Sequence, residues 1–194
     1  MIKLELRFLG DPILRKKARP VVNVNKKIKD ILDSMVRVMA ERDGVGLAGP
    51  QVGISKRIVV VDVGNGPIKL INPEIVKSVG SEIAVEGCLS IPGVFGEVRR
   101  ASEVEVTALD ENGRRVWIEG SGLLARALQH ELDHLDGILF VDKVIRFVSP
   151  GEGSGEALEA TNATHRESNT CATEREAEGK RDDAETENGV HGQS

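Results

Sequence analysis

The chain has 194 residues, of which 40% are hydrophobic, and a formal net charge of −5. Residues 151–194 hold 11 acidic and 4 basic residues, so residues 1–150 carry a net charge of +2. A near-neutral body without a basic stripe argues against direct nucleic-acid binding, and the lack of a long apolar run argues against membrane binding. The N-terminal segment has the profile of neither a signal peptide nor a transit peptide, so we expect a cytoplasmic protein.

The first predicted element is a helix over residues 26–42, where apolar residues recur at three- and four-residue spacing. The glycine-rich residues 44–53 predict a loop. Short runs bounded by turn residues then predict five strands, at residues 57–63, 68–71, 74–79, 103–109 and 114–119. The sequence DENG between the last two runs is typical of a hairpin turn.

A second helix is predicted over residues 121–135, with Ser121 as its N-cap and Gly137 just beyond its end. Residues 138–141 predict one last strand. Residues 149–194 contain only Leu158 and Val190 as large apolar side chains, too few to offset the entropy of ordering the chain. We therefore predict an acidic, low-complexity and disordered tail after a domain of residues 1–148.

The second predicted helix carries the sequence HELDH, a match to H-E-x-x-H. Residues four apart lie on one face of a helix, so His130 and His134 can hold one metal ion while Glu131 reaches a water bound to it. Five-residue patterns also occur by chance, and a histidine on a half-buried helix is often a hydrogen-bonded core residue. Both interpretations stay open on this motif alone.

A catalytic metal site usually has a third protein ligand. The metzincin pattern ends in a third histidine, but this chain has Phe140 at that position, and phenylalanine cannot bind a metal. The glutamates downstream of the helix, such as Glu152, lie in the predicted tail, which is a poor place for a rigid ligand. Upstream, Cys88 lies in the tight segment EGCLSIPG, from which a thiolate could complete a Cys-His-His site. The alternative for Cys88 is a buried structural thiol.

Three segments in this order resemble the motifs of bacterial-type peptide deformylases. The family carries G-φ-G-φ-A-A-x-Q (φ apolar), E-G-C-φ-S and Q-H-E-φ-D-H, which match residues 44–51, 86–90 and 129–134. The one departure is Gly49, where the family usually has alanine, and we expect it to loosen the loop. The resemblance extends from Leu9 to about residue 143, and it implies an α+β fold in which short antiparallel sheets pack around the central H-E-x-x-H helix.

The resemblance also implies an activity, the metal-dependent removal of the formyl group from formyl-methionyl peptides of newly made proteins. Cys88, His130 and His134 would hold one divalent ion, with ferrous iron favoured and Zn²⁺, Ni²⁺ or Co²⁺ as alternatives. Glu131 would act as the general base and acid. The side chain of Gln51 and the backbone N–H of Leu89 would stabilise the oxyanion.

The same resemblance predicts the path of the substrate. The peptide would lie as an extended strand against the backbone of Val45, Gly46 and Gly87, with the methionine side chain in an apolar pocket. Arg100 matches a basic residue that can meet the peptide near the mouth of the site, and its alternative is a solvated surface arginine. Since these substrates emerge from ribosomes, a transient ribosome association is compatible with the activity.

Two other classes of function remain open from the sequence. A metallopeptidase would cleave internal peptide bonds and would be indifferent to formylation. A structural metal module or a binding protein would need neither Glu131 nor Gln51, so the presence of both argues for an enzyme.

Overall fold

The computed structural model describes residues 2–149 of the chain, which lie within one compact unit. These residues form two α-helices, α1 (Lys26–Ala40) and α2 (Gly122–Leu135). Short 3-10 helices occur at Pro12–Arg15, Gly49–Val52 and Phe140–Asp142. The strands are β1 (Gly46–Ala48), β2 (Ile58–Val61), β3 (Ile68–Val79), β4 (Glu82–Cys88), β5 (Ile91–Arg100), β6 (Glu103–Leu109), β7 (Arg115–Ser121) and β8 (Val144–Val148). Apart from Ser149, the predicted tail lies outside the described residues.

The strands form two antiparallel sheets. The larger sheet has the order β1-β2-β3-β6-β7, and the smaller one has the order β4-β5-β8. Strand β1 is an edge strand of the first sheet and β4 is an edge strand of the second. The metal-motif helix α2 and these sheets confirm the predicted α+β fold.

The two helices pack on opposite faces of the larger sheet. Strand β2 is buried on both faces, because Ile58 and Val60 contact the α1 side while Val59 and Val61 contact the α2 side. Burial of both faces explains why β2 is continuously apolar rather than alternating. Helix α1 begins where the side chain of Asn25 accepts a hydrogen bond from the Ile28 N–H, and its apolar stripe faces the sheet.

Several predicted elements are confirmed. Helix α1 ends two residues before the predicted end, and α2 follows its N-cap Ser121 and ends before Gly137 as predicted. Strand β6 has the predicted bounds, and Asp110 closes the hairpin to β7 by accepting hydrogen bonds from the backbone of Asn112 and Arg114. The two predicted strands 68–71 and 74–79 are one strand, β3, interrupted by Asn72, which has a positive φ of 51°.

Three predictions of secondary structure were wrong or incomplete. The predicted loop over residues 44–53 contains strand β1 and the 3-10 helix Gly49–Val52. Residues 138–141 do not form a strand, since Leu139 and Phe140 are both buried in one apolar cluster instead of alternating between two faces. The last strand is β8, which pairs with β5. Strands β4 and β5 were not predicted, since residues 86–93 were expected to form a tight turn and no element was assigned to residues 82–85 or 94–100.

No helix within residues 2–149 is long and apolar enough to cross a membrane.

Candidate active site

The three predicted metal ligands converge on one point. Cys88 is the last residue of β4 and pairs with Ile91 across a tight hairpin, while His130 and His134 are on consecutive turns of α2. The candidate ligand atoms of the three residues all lie within 4.8 Å of one another. The Cys88 Sγ is 3.2 Å from the His134 Nε2.

The surroundings of these residues fit a divalent ion. His130 is held by a 2.9 Å hydrogen bond between its Nδ1 and the Glu86 carboxylate, which leaves its Nε2 for a metal. Burial lowers the pKa of His134 well below its usual value, and the neutral imidazole is the form that binds a metal. At His130, burial also lowers the pKa, but hydrogen bonds to Cys88 and Glu86 outweigh this effect and raise the pKa to about 10, so a metal ion must displace a proton there. One thiolate and two imidazoles are a donor set that iron and zinc both accept, and three ligands leave a position open.

Glu131 lies beside the ligand cluster. Its side chain is buried, and its Oε2 has no hydrogen-bond partner among the described residues. Burial raises the pKa of Glu131 to about 7. A Cβ on Gly46 would lie 2.8 Å from the Glu131 Cδ, so only glycine lets β1 approach this carboxyl group. A buried carboxyl group with an unpaired oxygen and a raised pKa is typical of a general acid or base.

Gln51 is positioned by the 3-10 helix that follows β1. Its Oε1 accepts a 2.7 Å hydrogen bond from the Ala48 N–H, and this bond fixes the orientation of the side-chain amide. The Nε2 of Gln51 lies 3.5 Å from the Cys88 Sγ. The amide therefore presents its N–H groups to the metal-ligand cluster.

A cavity of about 710 Å³ opens beside this cluster. The predicted site residues that line it are Val45, Gly46, Gln51, Gly87, Cys88, Leu89, His130 and Glu131. Edge strands from both sheets, β1 and β4, contribute to its wall, and each has one edge without a neighbouring strand in its sheet. An extended peptide can add to such an edge through main-chain hydrogen bonds.

The placement of Arg100 contradicts the prediction that it meets the substrate. Its side chain is only 3% exposed and does not line the cavity. It donates two hydrogen bonds to Glu86, at 2.8 and 2.9 Å, and also pairs with Asp133. The alternative of a solvated arginine is also wrong, because two carboxylates compensate the charge and stabilise it inside the protein.

Glu86 is the centre of a buried ionic network behind the metal site. It accepts hydrogen bonds from Arg100, Arg126 and His130. Burial raises the pKa of the Glu86 carboxyl, but the hydrogen bonds from Arg100 and His130 outweigh this effect and hold the pKa well below its usual range. Glu86 therefore orients a metal-ligating histidine while it neutralises two arginines.

We predict a large loss of stability for Glu86→Gln. The substitution keeps the shape of the side chain but removes the carboxylate that faces Arg126 and one of the two that face Arg100, at a cost of about 3–5 kcal/mol. Urea unfolding of the metal-loaded protein measures this effect. Glu97→Gln on β5 is the matched control, since Glu97 pairs with Arg146 at the surface and its replacement should leave the unfolding midpoint nearly unchanged. Equal midpoints for the two variants would contradict the prediction.

Gly49 does not loosen the loop as expected from the sequence. A Cβ at this position would lie 2.7 Å from the backbone oxygens of Ile54 and Lys56, and 3.0 Å from the Ile58 side chain. The first turn of the 3-10 helix that carries Gln51 is therefore tightly packed against the chain that follows it.

We predict that Gly49→Ala, which restores the residue usual in the family, destabilises this protein. The added methyl group must displace backbone, and overpacking of this kind costs about 1–3 kcal/mol. Thermal unfolding should show a lower Tm than for the unsubstituted chain. An unchanged or higher Tm would show that the loop has room for alanine.

Sequence reasoning assigned no role to Glu86, Asp133 or Arg126. Arg126 is buried at the cavity wall and also bonds to the carbonyl oxygens of Glu82 and Val98. Two of these residues lie inside the quoted motifs EGCLS and HELDH, so the signal was present in the sequence. The ion pair between Glu86 and Arg126 could not be predicted, because the two residues are 40 positions apart in the chain.

Comparisons with known proteins point to one protein family. Residues 3–149 match the family model of polypeptide deformylases. A peptide deformylase from Caldanaerobacter subterraneus is 58% identical over 150 residues, which are 77% of this chain and 94% of that protein. The crystal structure of peptide deformylase from Thermotoga maritima superposes with a TM-score of 0.73 at 45% identity, covering 74% of this chain and 99% of the other. A peptide deformylase from Synechococcus elongatus, in complex with actinonin, gives a TM-score of 0.72 at 43% identity, covering 85% and 87% of the two chains.

Proposed function

This chain belongs to the polypeptide deformylase family, and from that premise we propose the roles of its individual residues and the identity of its metal. The family reaction is the metal-dependent hydrolysis of the formyl group from formylated nascent peptides, which makes this chain a metallo-hydrolase. The observation that carries the assignment is the convergence of Cys88, His130 and His134 beside Glu131 at the cavity. We place this activity in residues 1–148 and the enzyme in the cytoplasm.

Cys88, His130 and His134 hold one divalent ion. When bound, the ion lowers the pKa of a coordinated water and makes hydroxide available near neutral pH. Glu86 keeps the His130 ring in the orientation that presents Nε2, through the 2.9 Å bond to Nδ1.

Glu131 moves the proton in this proposal. It takes the proton from the attacking water and delivers it to the amine that departs from the formyl carbon. Its raised pKa suits both tasks, because a group that titrates near neutral pH can accept and release a proton. Formate and a peptide with a free N-terminus are the products.

Gln51 and the backbone N–H of Leu89 stabilise the negative charge that develops on the formyl oxygen. The Gln51 amide is already oriented by Ala48, so little reorganisation is needed when the charge appears. Removal of one such donor typically costs about 3–4 kcal/mol in the transition state.

The peptide binds as an added strand between the two sheet edges. Val45 and Gly46 on the β1 side and Gly87 on the β4 side offer their backbone groups to it. The apolar part of the cavity takes the methionine side chain. Since such substrates emerge from ribosomes, we also propose a transient association with the ribosome.

Formate release from formyl-Met-Ala-Ser tests the proposed function. The protein is purified anaerobically and loaded with ferrous iron or nickel, and unformylated Met-Ala-Ser is the control. We expect rapid formate release from the formylated peptide. Cleavage of casein without formate release would instead support a metallopeptidase, and metal binding without either reaction would support a binding module.

We predict that the iron-loaded enzyme is sensitive to oxygen. Dioxygen can oxidise a ferrous ion bound by a thiolate, whereas zinc has no redox chemistry. Exposure to air should lower the rate of formate release by the iron-loaded enzyme and leave that of the zinc-loaded enzyme unchanged. Equal rates for the iron-loaded enzyme before and after exposure would count against iron as the native metal.

A further inference from the structure

The N-terminal segment connects the two loops that carry the proposed oxyanion donors. The Arg7 N–H donates a 2.8 Å hydrogen bond to the backbone oxygen of Gln51. Two residues later, the Leu9 N–H donates a 2.9 Å hydrogen bond to the backbone oxygen of Ser90, which follows Leu89. We call residues 6–9 the N-terminal strap.

Side-chain packing holds the strap in place. Leu6 packs against the apolar cluster that includes Leu47 and Val52, with Leu89 at its margin. The Arg7 guanidinium lies over Gly53, where a Cβ would come within 3.1 Å of its Nε. Leu6 and Phe8 also line the cavity. The strap therefore contacts both loops and the site itself.

The two loops belong to different sheets. Gln51 follows β1, an edge strand of the five-stranded sheet, while Leu89 lies in the hairpin between β4 and β5 of the three-stranded sheet. The two sheets share no strand pairing. The distance between the two donors thus depends on connections such as the strap, and misplacement of a catalytic group by about 1 Å can cost a factor of 10² in rate.

We propose that the N-terminal strap is a positioning element that holds the Gln51 amide and the Leu89 N–H at the separation needed to stabilise the oxyanion. This inference rests on the proposed function, which assigns those two groups. The strap acts through the backbone N–H groups of Arg7 and Leu9 and touches no reacting atom. Because oxyanion donors act in the transition state, loss of the strap bonds should lower kcat and leave KM nearly unchanged.

Leu9 offers a substitution that breaks the bond to Ser90 and suits the local turn. The Asp11 N–H bonds to the Phe8 oxygen, and Gly10 has a φ of 105°, which makes residues 8–11 a turn of the type that favours proline at its second position. Leu9 is that second residue, and its side chain is 55% exposed. Leu9→Pro therefore suits the turn, removes the N–H and places a ring carbon where that hydrogen was, which pushes the Ser90 oxygen away. Leu9→Ala keeps the N–H while removing the side chain.

The test compares the two Leu9 variants in metal-loaded protein with formyl-Met-Ala-Ser as substrate. We expect Leu9→Pro to lower kcat at least tenfold while KM stays within twofold and the metal content is unchanged. Leu9→Ala should stay within twofold of the unsubstituted enzyme in both constants. A Leu9→Pro enzyme with unchanged kcat, or an equal loss in both variants, would overturn the inference.

Arg7→Pro repeats the comparison at the bond to Gln51, with Leu9→Ala again as the control. The same split between kcat and KM is expected for this proline variant. If both proline variants lose the fold or the metal, the strap serves general stability and the inference is overturned.

Gln51→Ala separates this inference from the function on which it rests. If Gln51→Ala lowers kcat but Leu9→Pro does not, the inference fails and the oxyanion role of Gln51 stands. If Gln51→Ala keeps full activity, the oxyanion role of Gln51 fails, and with it the inference. If the unsubstituted enzyme releases no formate, the proposed function itself fails.

Discussion

Glu131→Gln should abolish most of the turnover while leaving the metal bound. The amide has the same size as the carboxyl group but cannot accept the proton of an attacking water. Because Glu131 is buried and its Oε2 has no partner within residues 2–149, no structural hydrogen bond of that atom is lost. General acid–base catalysis contributes about 10²–10⁴-fold to a rate, and we expect kcat to fall by that amount.

Steady-state formate release and metal analysis on the same preparation measure this effect. Glu119→Gln is the matched control, because it makes the same chemical change at an exposed residue of β7, away from the site. The control should stay within twofold of the unsubstituted enzyme. Retained activity in Glu131→Gln would remove Glu131 from the mechanism.

Cys88→Ala should cost the enzyme both its metal and its activity. The substitution removes one of three converging donors, and two imidazoles on one helix bind a divalent ion far more weakly than the complete set. Loss of a residue that hydrogen-bonds to a metal ligand already lowers metal affinity about 10–100-fold, so the loss of a ligand itself should lower the affinity by more. Metal content after dialysis and formate release from formyl-Met-Ala-Ser should fall together.

Cys171→Ala removes the second of the two thiols in the chain and serves as the control. It should retain one metal ion per chain and full activity. Full metal content in Cys88→Ala would show that the third ligand lies elsewhere. Full metal content with lost activity would make Cys88 important for the reactivity of the ion but not for holding it.

The placement of Arg100 shows where sequence reasoning reaches its limit. The match of Arg100 to a basic residue of the family predicted a contact with substrate, yet the folded chain buries it between Glu86 and Asp133. A single charge is too costly to bury, whereas a charge that meets two carboxylates can be stable in the interior. Whether Glu86 and Asp133 lie next to Arg100 depends on the pairing of β4 with β5 and on the position of α2. Neither can be predicted from the local sequence.

Strands β4 and β5 illustrate the same limit at the level of the fold. The two glycines and the proline of residues 87–93 predicted a tight turn. In the structure they lie in strands that pair over most of their length, with an irregular register between Glu86 and Cys88. Pairing with a neighbouring strand can override a weak local preference.

The sequence by itself determined those features that depend on short-range periodicity and on turn chemistry. The four-residue spacing of His130 and His134 places both on one face of α2, the apolar stripe defines α1, and Asp110 with Gly113 closes the hairpin between β6 and β7. Only the tertiary structure decided how distant segments meet. It brings Cys88 to His134 across 46 residues, separates Arg100 from the cavity, and lets the N-terminal strap contact two loops, because these contacts depend on which sheet edges and helix faces pack together.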